Sequence, residues 1–483
     1  MCPRGGDEPP RQFAQADGDG LTDRIVAKER RCDSLLAPMG RMAGCVLALL
    51  VLCGAGGCSA TRATAKAAAP AASPTRYVLP NGIPVIVQEH RGSELAALQL
   101  WVRAGARDES ASELGLAHYL EHMLFRGTTS RPTGFVEREV EGVGGAMNAG
   151  TSWDFTYYYV TLPPSRVSQG LELLADIATN AALDAEVLDK EKAVVLEEMR
   201  QGQDSPRRLV TRTIYSQLFE GHAYGREILG TPDIIRGLTR DTLLSFYRHR
   251  YVPEAFSVVV VGPVDAETVV STARATFGRL PRTGTGRLPL AAPAQFRPRR
   301  TELVRQGAHA YLGMAWPAPR LDHADTPALD LLVSILGGRR SSRLVQALRE
   351  ERGTVVAIDA GLSTLGAAGA VLVSAQMDPV NVHAAEEQIV AEIRRVRDRG
   401  VTPAELRRAV ITAEAAHEFQ TETAHGRALA LGRAETIWTI EDELAYVRRI
   451  RSVSAEQVQA VARRYLDPEQ YIFLALVPPR SGR

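Results

Sequence analysis

Residues 115–128, GLAHYLEHMLFRGT, contain two histidines four positions apart, with a glutamate directly before the second. The apolar spacing predicts a helix over about 113–125, and a helix places His118 and His122 on one face, where both can bind one metal ion. The carboxylate of Glu121 projects beside that pair. Two imidazoles and a neighbouring carboxylate are the groups needed to hold zinc and to deprotonate a water bound to it. The string reads His-x-x-Glu-His, the inverse of the commoner His-Glu-x-x-His. Because five residues also match by chance, this segment alone predicts only a candidate site.

The size and composition of the chain are those of a globular protein with more than one domain. Its 483 residues exceed the usual length of a single domain. Hydrophobic residues make up 45% and charged residues 23%, which provides ample material for a core. The formal net charge is +1, and no block of Lys and Arg with interleaved aromatic residues is present. The composition therefore argues against a polyanion or nucleic acid as the main ligand.

All the cysteines lie near the start of the chain. They are Cys2, Cys32, Cys45, Cys53 and Cys58. The remaining residues can form no disulfide and offer no thiolate ligand. Any zinc in the body of the protein must therefore be held by histidine and carboxylate.

Residues 39–58 resemble an export signal. A basic start is followed by the apolar run 43–57, AGCVLALLVLCGAGG, which ends at Cys58. This run is shorter than the roughly 20 residues of a spanning helix. Ala55-Gly56-Gly57-Cys58 resembles a bacterial lipobox, and the resemblance implies that Cys58 is lipidated. The expected location is then the bacterial cell envelope, as an outer-membrane lipoprotein facing the periplasm. An ordinary secretory signal and an uncleaved anchor remain the alternatives.

The segments on either side of this signal have separate interpretations. Residues 1–38 are polar and aperiodic, and they are interpreted as an extension that is untranslated or disordered. Residues 59–75 are rich in Ala, Thr and Pro and are predicted to be a flexible linker.

The rest of the chain shows the same pattern of elements twice. In the first half, strands flank the turn at Asn81-Gly82, and a strand at 154–162 follows the histidine helix. Two further helices are predicted in the first half, at 165–180 and 184–202. In the second half the predicted strands are 310–318 and 367–376, and the predicted helices are 328–338, 341–353, 381–399 and 403–420. The pattern predicts an α+β fold of two homologous repeats. Each repeat is expected to be an antiparallel sheet with helices packed on it, and the two form a clamshell around a cleft.

The expected domains follow from this repeat. Residues 76–285 form the zinc-bearing N-terminal domain, and residues 286–300, rich in Arg and Pro, form a linker. Residues 301–483 form a homologous C-terminal domain without zinc ligands. The second copy has Leu331, Leu332 and Val333 in the region of the His-x-x-Glu-His string.

Zinc in hydrolases takes three protein ligands and leaves one position for water. A third ligand is therefore expected, and the candidates are the acidic residues of the predicted helix at 184–202. Glu191 and Glu198 are seven residues apart and share one face of that helix. Glu197 points elsewhere and is interpreted as a solvated surface residue. The spacing leaves Glu191 and Glu198 both open as the ligand.

Five segments of the chain resemble one family of zinc metallopeptidases. They are GLAHYLEHMLFRGT (115–128), GGAMNAGTSWDFTYYY (144–159), EKAVVLEEM (191–199), HAYGREILGT (222–231) and SSRLVQALREERG (341–353). Together they are similar to the pitrilysin family of inverzincins, which includes insulinase and the mitochondrial processing peptidase. The resemblance covers roughly residues 75–481.

The resemblance implies a role for each residue of the site. One zinc ion per chain would be held by His118, His122 and Glu198. Glu121 would be the general base that takes a proton from the zinc-bound water. Glu191 would orient a ligand imidazole from behind. The implied activity is that of a zinc-dependent endopeptidase that hydrolyses peptides or unfolded polypeptides in a chamber between the two domains. The alternative is a catalytically weak or inactive envelope subunit of the same fold that binds peptides or assists assembly.

The resemblance also implies how substrate and partner are used. Asn148 and Ala149 would contact the backbone of a peptide added as a β-strand. Family members that work alone carry, in the second half, an Arg and a Tyr seven residues apart that stabilise the tetrahedral intermediate. Arg349 is present here, but the Tyr position is Val356. We therefore expect a homodimer or heterodimer with a homologous subunit that supplies the Arg/Tyr pair.

Overall fold

The computed structural model describes residues 72–284, 287 and 289–479. The predicted extension 1–38, the signal 39–58 with Cys58, and most of the linker 59–75 lie outside these residues. Among the helices of the described part, none combines the length and apolarity that a membrane span requires.

The first half of the chain builds a six-stranded sheet. Its strands are β1 (Thr75–Val78), β2 (Pro84–Glu89), β3 (Ala96–Val102), β4 (Ala146–Thr151), β5 (Thr156–Leu162) and β6 (Phe256–Gly262). They are hydrogen-bonded in the order β1-β2-β6-β3-β5-β4. Asn81 and Gly82 form the turn between β1 and β2, where Gly82 has a φ of 91°. The strand β4 is therefore an edge strand of this sheet.

The second half builds a five-stranded sheet. Its strands are β7 (Arg299–Val304), β8 (Ala310–Ala318), β9 (Ala357–Thr364), β10 (Gly369–Met377) and β11 (Ile472–Val477). Their order is β7-β11-β8-β10-β9. The strand β9 is an edge strand here, as β4 is in the first sheet.

Helices pack on both sheets. In the first half they are α1 (Leu116–Leu124), α2 (Phe135–Glu141), α3 (Val167–Thr179), α4 (Ala185–Asp204), α5 (Pro206–Leu218), α6 (Pro232–Gly237), α7 (Arg240–Arg250) and α8 (Ala266–Ala275). In the second half they are α9 (Thr326–Leu336), α10 (Val382–Arg399), α11 (Pro403–Gln420), α12 (Ala424–Ile437), α13 (Ile440–Arg451) and α14 (Ala455–Tyr465). Each half has its own apolar core between its sheet and most of its helices.

The predicted α+β fold of two similar halves is confirmed, but the sheets are mixed rather than wholly antiparallel. The strand β6 runs parallel to β2, and β11 runs parallel to β7. The other pairings within the two sheets are antiparallel. A parallel neighbour requires a long connection, and in both halves several helices precede the returning strand. The sequence pattern predicted several of the strands, but not the direction in which the last strand of each sheet re-enters.

The segment predicted as a helix at 341–353 differs from that expectation. A π-helical stretch covers Val345–Glu350, and the N–H of Glu351 donates to Gln346 O at 3.0 Å. Thr354 N then donates to Leu348 O, and Gly353 has a φ of 62°. The left-handed glycine turns the chain toward β9 and ends the helical stretch.

The two halves exchange helices. The helix α5 of the first half covers the second sheet, where Val210 and Ile214 pack against β8 at Gly313. The helix α12 of the second half covers the first sheet, where it packs on Trp101 of β3. The outer face of each sheet is therefore buried by a helix from the other half.

The contact between α12 and Trp101 depends on a glycine. A Cβ atom at Gly432 would lie 1.9 Å from Nε1 of Trp101, which is fully buried and donates to Gln99 Oε1 at 2.8 Å. We expect Gly432→Ala to lower the free energy of unfolding by about 1–3 kcal/mol because the helix must move away from the sheet. Urea unfolding followed by circular dichroism measures this change. The matched control is Gly202→Ala, which is also helical but has open space at the Cβ position and should gain up to about 1 kcal/mol. Equal stabilisation by both variants would contradict the expected close packing.

Candidate metal centre

The start of helix α1 is held by a buried carboxyl group. The helix follows Gly115, which has a φ of 92° and offers no side-chain cap. Glu109, 3% exposed, accepts hydrogen bonds from the N–H groups of Gly115 at 2.9 Å and Ala117 at 2.8 Å. A Cβ at Gly230 would lie 2.2 Å from Leu114 O, so the segment 226–230 also packs tightly against this end. Glu109 thus satisfies two free N–H groups at the start of the helix, and these contacts fix where its histidines lie.

Burial raises the pKa of Glu109 to about 8, although its two backbone hydrogen bonds oppose the shift. The pKa of Glu109 is higher in the folded state, about 8, than the unfolded value of about 4.5. Its contribution to the stability of the fold is therefore fully present below about pH 4.5, and it is lost as the pH rises to about 8. We therefore expect wild type to lose on the order of a few kcal/mol relative to Glu109→Gln between these limits. Thermal melts of both proteins across this range give the difference curve. A difference that is flat with pH would refute the raised pKa.

Three potential metal ligands converge between α1 and α4. They are His118 and His122 from α1 and Glu198 from α4, and their ligand atoms all lie within 4.8 Å of one another. Oε2 of Glu198 lies 3.6 Å from Nε2 of His118 and 3.8 Å from Nε2 of His122. The four-residue spacing on α1 and the helical phase of α4 bring these side chains together. Among the described residues, no other His, Cys, Asp and Glu group of this kind is found.

The chemistry of this group fits zinc. Burial lowers the pKa of His118 to about 3, so its imidazole is neutral and keeps a lone pair for a metal. Burial would also lower the pKa of His122, but its hydrogen bond to Glu191 and the nearby carboxylates raise it overall. Two imidazoles and one carboxylate are a donor set that catalytic zinc sites use, with one position left for water. The residues His118, His122 and Glu198 can therefore hold a zinc ion.

Glu191 lies behind His122. Its Oε1 is 2.9 Å from Nδ1 of His122, and Arg126 donates to both carboxylate oxygens at 3.1 and 3.2 Å. Burial would raise the pKa of this carboxyl group, but these hydrogen bonds lower it overall. An ionised carboxylate held in this way fixes the ring orientation of His122 and leaves Nε2 directed toward Glu198. Glu197, by contrast, is exposed and pairs with Arg200.

Glu121 contacts the edge strand. The hydroxyl of Thr151, the last residue of β4, donates to Oε2 of Glu121. Burial raises the pKa of Glu121 to about 7, against the effect of this hydrogen bond. Thr151 was not among the site residues predicted from the sequence. Its position two residues after Ala149, on the same face of a strand, is the signal that could have indicated it.

Asn148 and Ala149 lie on the edge strand, as required for contact with an added strand. Asn148 is paired with Tyr159 and Ala149 with Tyr158, both on β5. The Oδ1 of Asn148 accepts from the N–H of Ala149 at 2.9 Å. The opposite edge of β4 pairs with no strand of the described chain. The structure thus places both residues beside an open edge that begins next to Glu121 and Thr151.

Arg349 is not brought into contact with the metal-site residues in the part of the chain that the structure describes. Its guanidinium pairs with Glu350 at 2.7 Å within the π-helical stretch. Val356 directly precedes β9, is 59% exposed, and its N–H donates to Gln376 O at 2.8 Å. His222, which matches a family segment, binds Ala291 O through Nε2 and accepts from Tyr224 N, so it has a structural role.

The fold and the site together define a two-sheet α+β protein with a candidate metallohydrolase centre. Sequence profiles of known families agree with this class. Residues 85–232 match the family described as insulinase (peptidase family M16), and residues 237–412 match its companion, the peptidase M16 inactive domain. The chain belongs to peptidase family M16.

Individual proteins similar to this chain are named as proteases or peptidases. An uncharacterized zinc protease of Mycobacterium tuberculosis is 32% identical over 427 residues, which cover 86% of this chain and 95% of the relative. A probable mitochondrial-processing peptidase subunit beta of Arabidopsis thaliana is 32% identical over 267 residues, covering 54% of this chain and 49% of the relative. Among solved structures, a protease from Helicobacter pylori has a TM-score of 0.80 at 23% identity, over 84% of this chain and 99% of that one. The periplasmic protease PqqL of Escherichia coli has a TM-score of 0.70 at 20% identity, over 85% of this chain and 48% of that one. At these identities the two structures show the fold alone.

Proposed function

We propose that this protein is a zinc-dependent endopeptidase that hydrolyses peptides or unfolded polypeptides. The observation that carries the proposal is the convergence of His118, His122 and Glu198 within 4.8 Å, with Glu121 on the same helix. A structural site closes all four positions of zinc with protein ligands, whereas this group supplies three. The relatives named zinc proteases support the same activity.

Each residue has a definite task in this proposal. Zinc, when bound, polarises a carbonyl and lowers the pKa of a coordinated water to about 7. Glu121 takes the proton of the attacking water and later delivers it to the leaving amine. Thr151 holds the Glu121 carboxylate in place through its hydroxyl. Glu191 keeps the ring of His122 in the orientation that directs Nε2 to the metal.

A peptide would bind as an added strand at the free edge of β4. Contacts of Asn148 and Ala149 with the main chain of the peptide would hold the substrate without reading most of its side chains. Thr151 ends this strand and contacts Glu121, so a docked peptide passes the general base. This arrangement accounts for cleavage of extended or unfolded chains rather than folded ones.

Metal removal tests the proposal directly. The full chain should cleave an unfolded polypeptide, lose this activity after dialysis against a chelator, and recover it when zinc is restored.

The second candidate is a peptide-binding or assembly subunit without activity, and it is favoured only by Val356 in place of the Tyr that family members carry. Peptide binding without cleavage, in the zinc-loaded chain alone and with its homologous partner, would support that candidate and reject the endopeptidase.

Localisation and domain division belong to the same proposal. We place the protein in the cell envelope as a lipoprotein attached through Cys58, with residues 76–285 and 301–483 as its domains and 286–300 as the linker. The periplasmic location named for the related structure PqqL supports an envelope site. Labelling with a radioactive fatty acid, lost in Cys58→Ala, would test the anchor.

The missing Tyr at position 356 leads to a prediction about activity. If the second half lacks an oxyanion donor, the chain alone is slow, and a homologous subunit that carries the Arg/Tyr pair raises the rate. Val356 is exposed and its backbone hydrogen bond does not involve the side chain, so Val356→Tyr is expected to fold. We expect this variant to raise kcat of the isolated chain by up to about a hundredfold, the value of one such donor. Val380→Tyr, at another exposed valine, is the control and should leave kcat unchanged. A wild-type chain that is fully active alone would remove the need for a partner.

A further inference from the structure

A row of aromatic side chains crosses the first sheet toward its open edge. On the sheet face opposite α1, Trp101 of β3 is paired with Tyr157 of β5, and Tyr157 is paired with Gly150 of β4. The rings of Trp101 and Tyr157 stack, with centroids 4.9 Å apart and an interplanar angle of 18°. The row is therefore aromatic on two strands and has no side chain on the third.

Tyr157 fills the place that Gly150 leaves empty. A Cβ at Gly150 would lie 2.7 Å from Cε1 and 3.1 Å from both Cζ and Oη of Tyr157. The tip of the ring thus lies over β4 itself, one strand nearer to the open edge than its own backbone. Gly150 and Tyr157 both remain partly exposed. Rings that lean across a glycine in this way occur in sheets as stabilising cross-strand pairs, which is the purely structural explanation.

Two observations connect this ring tip to the active site. Gly150 lies between Ala149 and Thr151, and Thr151 binds Glu121. The pKa of Tyr157 is raised to about 12, chiefly by burial, then by Tyr159 and by the negative charge of Glu121. The ring therefore lies within electrostatic range of the proposed general base.

The geometry of strands fixes what a docked peptide meets here. Residues directly opposite each other on neighbouring strands project from the same face, whether the strands run parallel or antiparallel. The substrate residue opposite Gly150 therefore directs its side chain to the face on which Tyr157 lies, in either direction of binding. The strand spacing of about 4.8 Å brings that side chain to the ring tip.

We infer that Tyr157 and Gly150 form a specificity subsite that selects an aromatic or large aliphatic side chain at one position of the peptide substrate. The inference rests on the proposed docking of substrate at β4. The stacked row Trp101–Tyr157 continues onto the substrate, because the absence of a side chain at residue 150 lets the ring of Tyr157 extend over β4 toward the open edge. An aromatic pair gains both from burial of apolar surface and from ring contact.

Peptide sets that differ at one position test this subsite. Zinc-loaded full-length protein is given 12-residue peptides, in each of which one position in turn is Phe or Ala, with cleavage sites mapped by mass spectrometry. Wild type should prefer Phe at one fixed distance from the scissile bond by about tenfold in kcat/KM. Tyr157→Ala should reduce this ratio to about two at most, whereas Tyr157→Phe, which keeps the ring, should retain it. In Gly150→Val the added side chain displaces the ring of Tyr157 from its place over β4, and the Phe preference should be lost.

The outcomes separate the subsite from the peptidase. If wild type cleaves no peptide, the proposed function fails. Fluorescence anisotropy with the same peptides, labelled, then still measures whether the Phe peptides bind better than the Ala peptides. It also measures whether Tyr157→Ala removes this difference in binding. A preference that survives in Tyr157→Ala overturns the subsite, as does a wild type without preference in both assays. A lower melting temperature of Tyr157→Ala with an unchanged Phe/Ala ratio would show that Tyr157 only stabilises the sheet.

Discussion

Replacing Glu121 with glutamine is expected to leave zinc bound and to lower kcat/KM on unfolded peptides by about 10²–10⁴-fold. Glutamine preserves the size of the side chain and can still accept the hydrogen bond from Thr151. It cannot accept the proton of the attacking water. The loss should therefore fall on kcat, while peptide affinity and zinc content stay near the wild-type values.

The control for this variant lies on the neighbouring helix. Glu197 is an exposed glutamate whose carboxylate pairs with Arg200, so Glu197→Gln should retain full activity. Zinc content is measured by mass spectrometry of the purified proteins, and cleavage is measured with quenched fluorescent peptides. Retained activity in Glu121→Gln would remove Glu121 as the base, whatever its position beside the histidines.

Replacing His118 with alanine is expected to lower the zinc content from about one ion per chain to near zero after dialysis. The variant loses one of three converging ligands and leaves His122 and Glu198 with an open geometry. Peptidase activity should be lost together with the metal. Because the buried His118 would bind the metal directly, adding zinc at moderate concentration should not restore the activity of His118→Ala.

His383→Ala is the matched control for metal content. His383 is exposed and pairs only with acidic residues of its own helix among the described residues. This variant should carry as much zinc as wild type. A zinc content in His118→Ala equal to that of wild type would place the metal elsewhere, and a metal-free wild type would remove the site altogether.

Local sequence patterns predict much of this fold because the strands and helices here follow their periodicities closely. The predicted strand 310–318 is β8, and the predicted helix 403–420 is α11. The edge strand β9 was not predicted, and β4 was expected only from the family resemblance, since AIDAGLST and AMNAGT lack a clear alternation of large apolar and polar residues. The parallel pairing of β2 with β6 depends on tertiary packing that no local pattern encodes.

The candidate site was predictable only in part. The four-residue spacing of His118 and His122 fixes their common helix face, and the seven-residue spacing restricts the third ligand to Glu191 or Glu198. The choice between these two depends on the crossing of α1 and α4, and the structure directs Glu198 to both imidazoles and Glu191 behind one of them. The two-residue spacing from Ala149 indicates the face on which Thr151 lies, but the contact of Tyr157 with Gly150 could not be inferred from spacing, because it depends on the pairing of β4 with β5.

The exchange of helices between the halves has a consequence for biosynthesis. A ribosome completes the first sheet long before it has made residues 424–437, the helix that buries Trp101 and its neighbours. Until then the nascent chain presents an apolar surface of the kind that chaperones bind and that promotes aggregation. The N-terminal half therefore cannot reach its final state during its own synthesis, and a fragment ending before residue 424 is expected to be insoluble. Folding of this chain is complete only when residues 424–437 are available to pack on the first sheet.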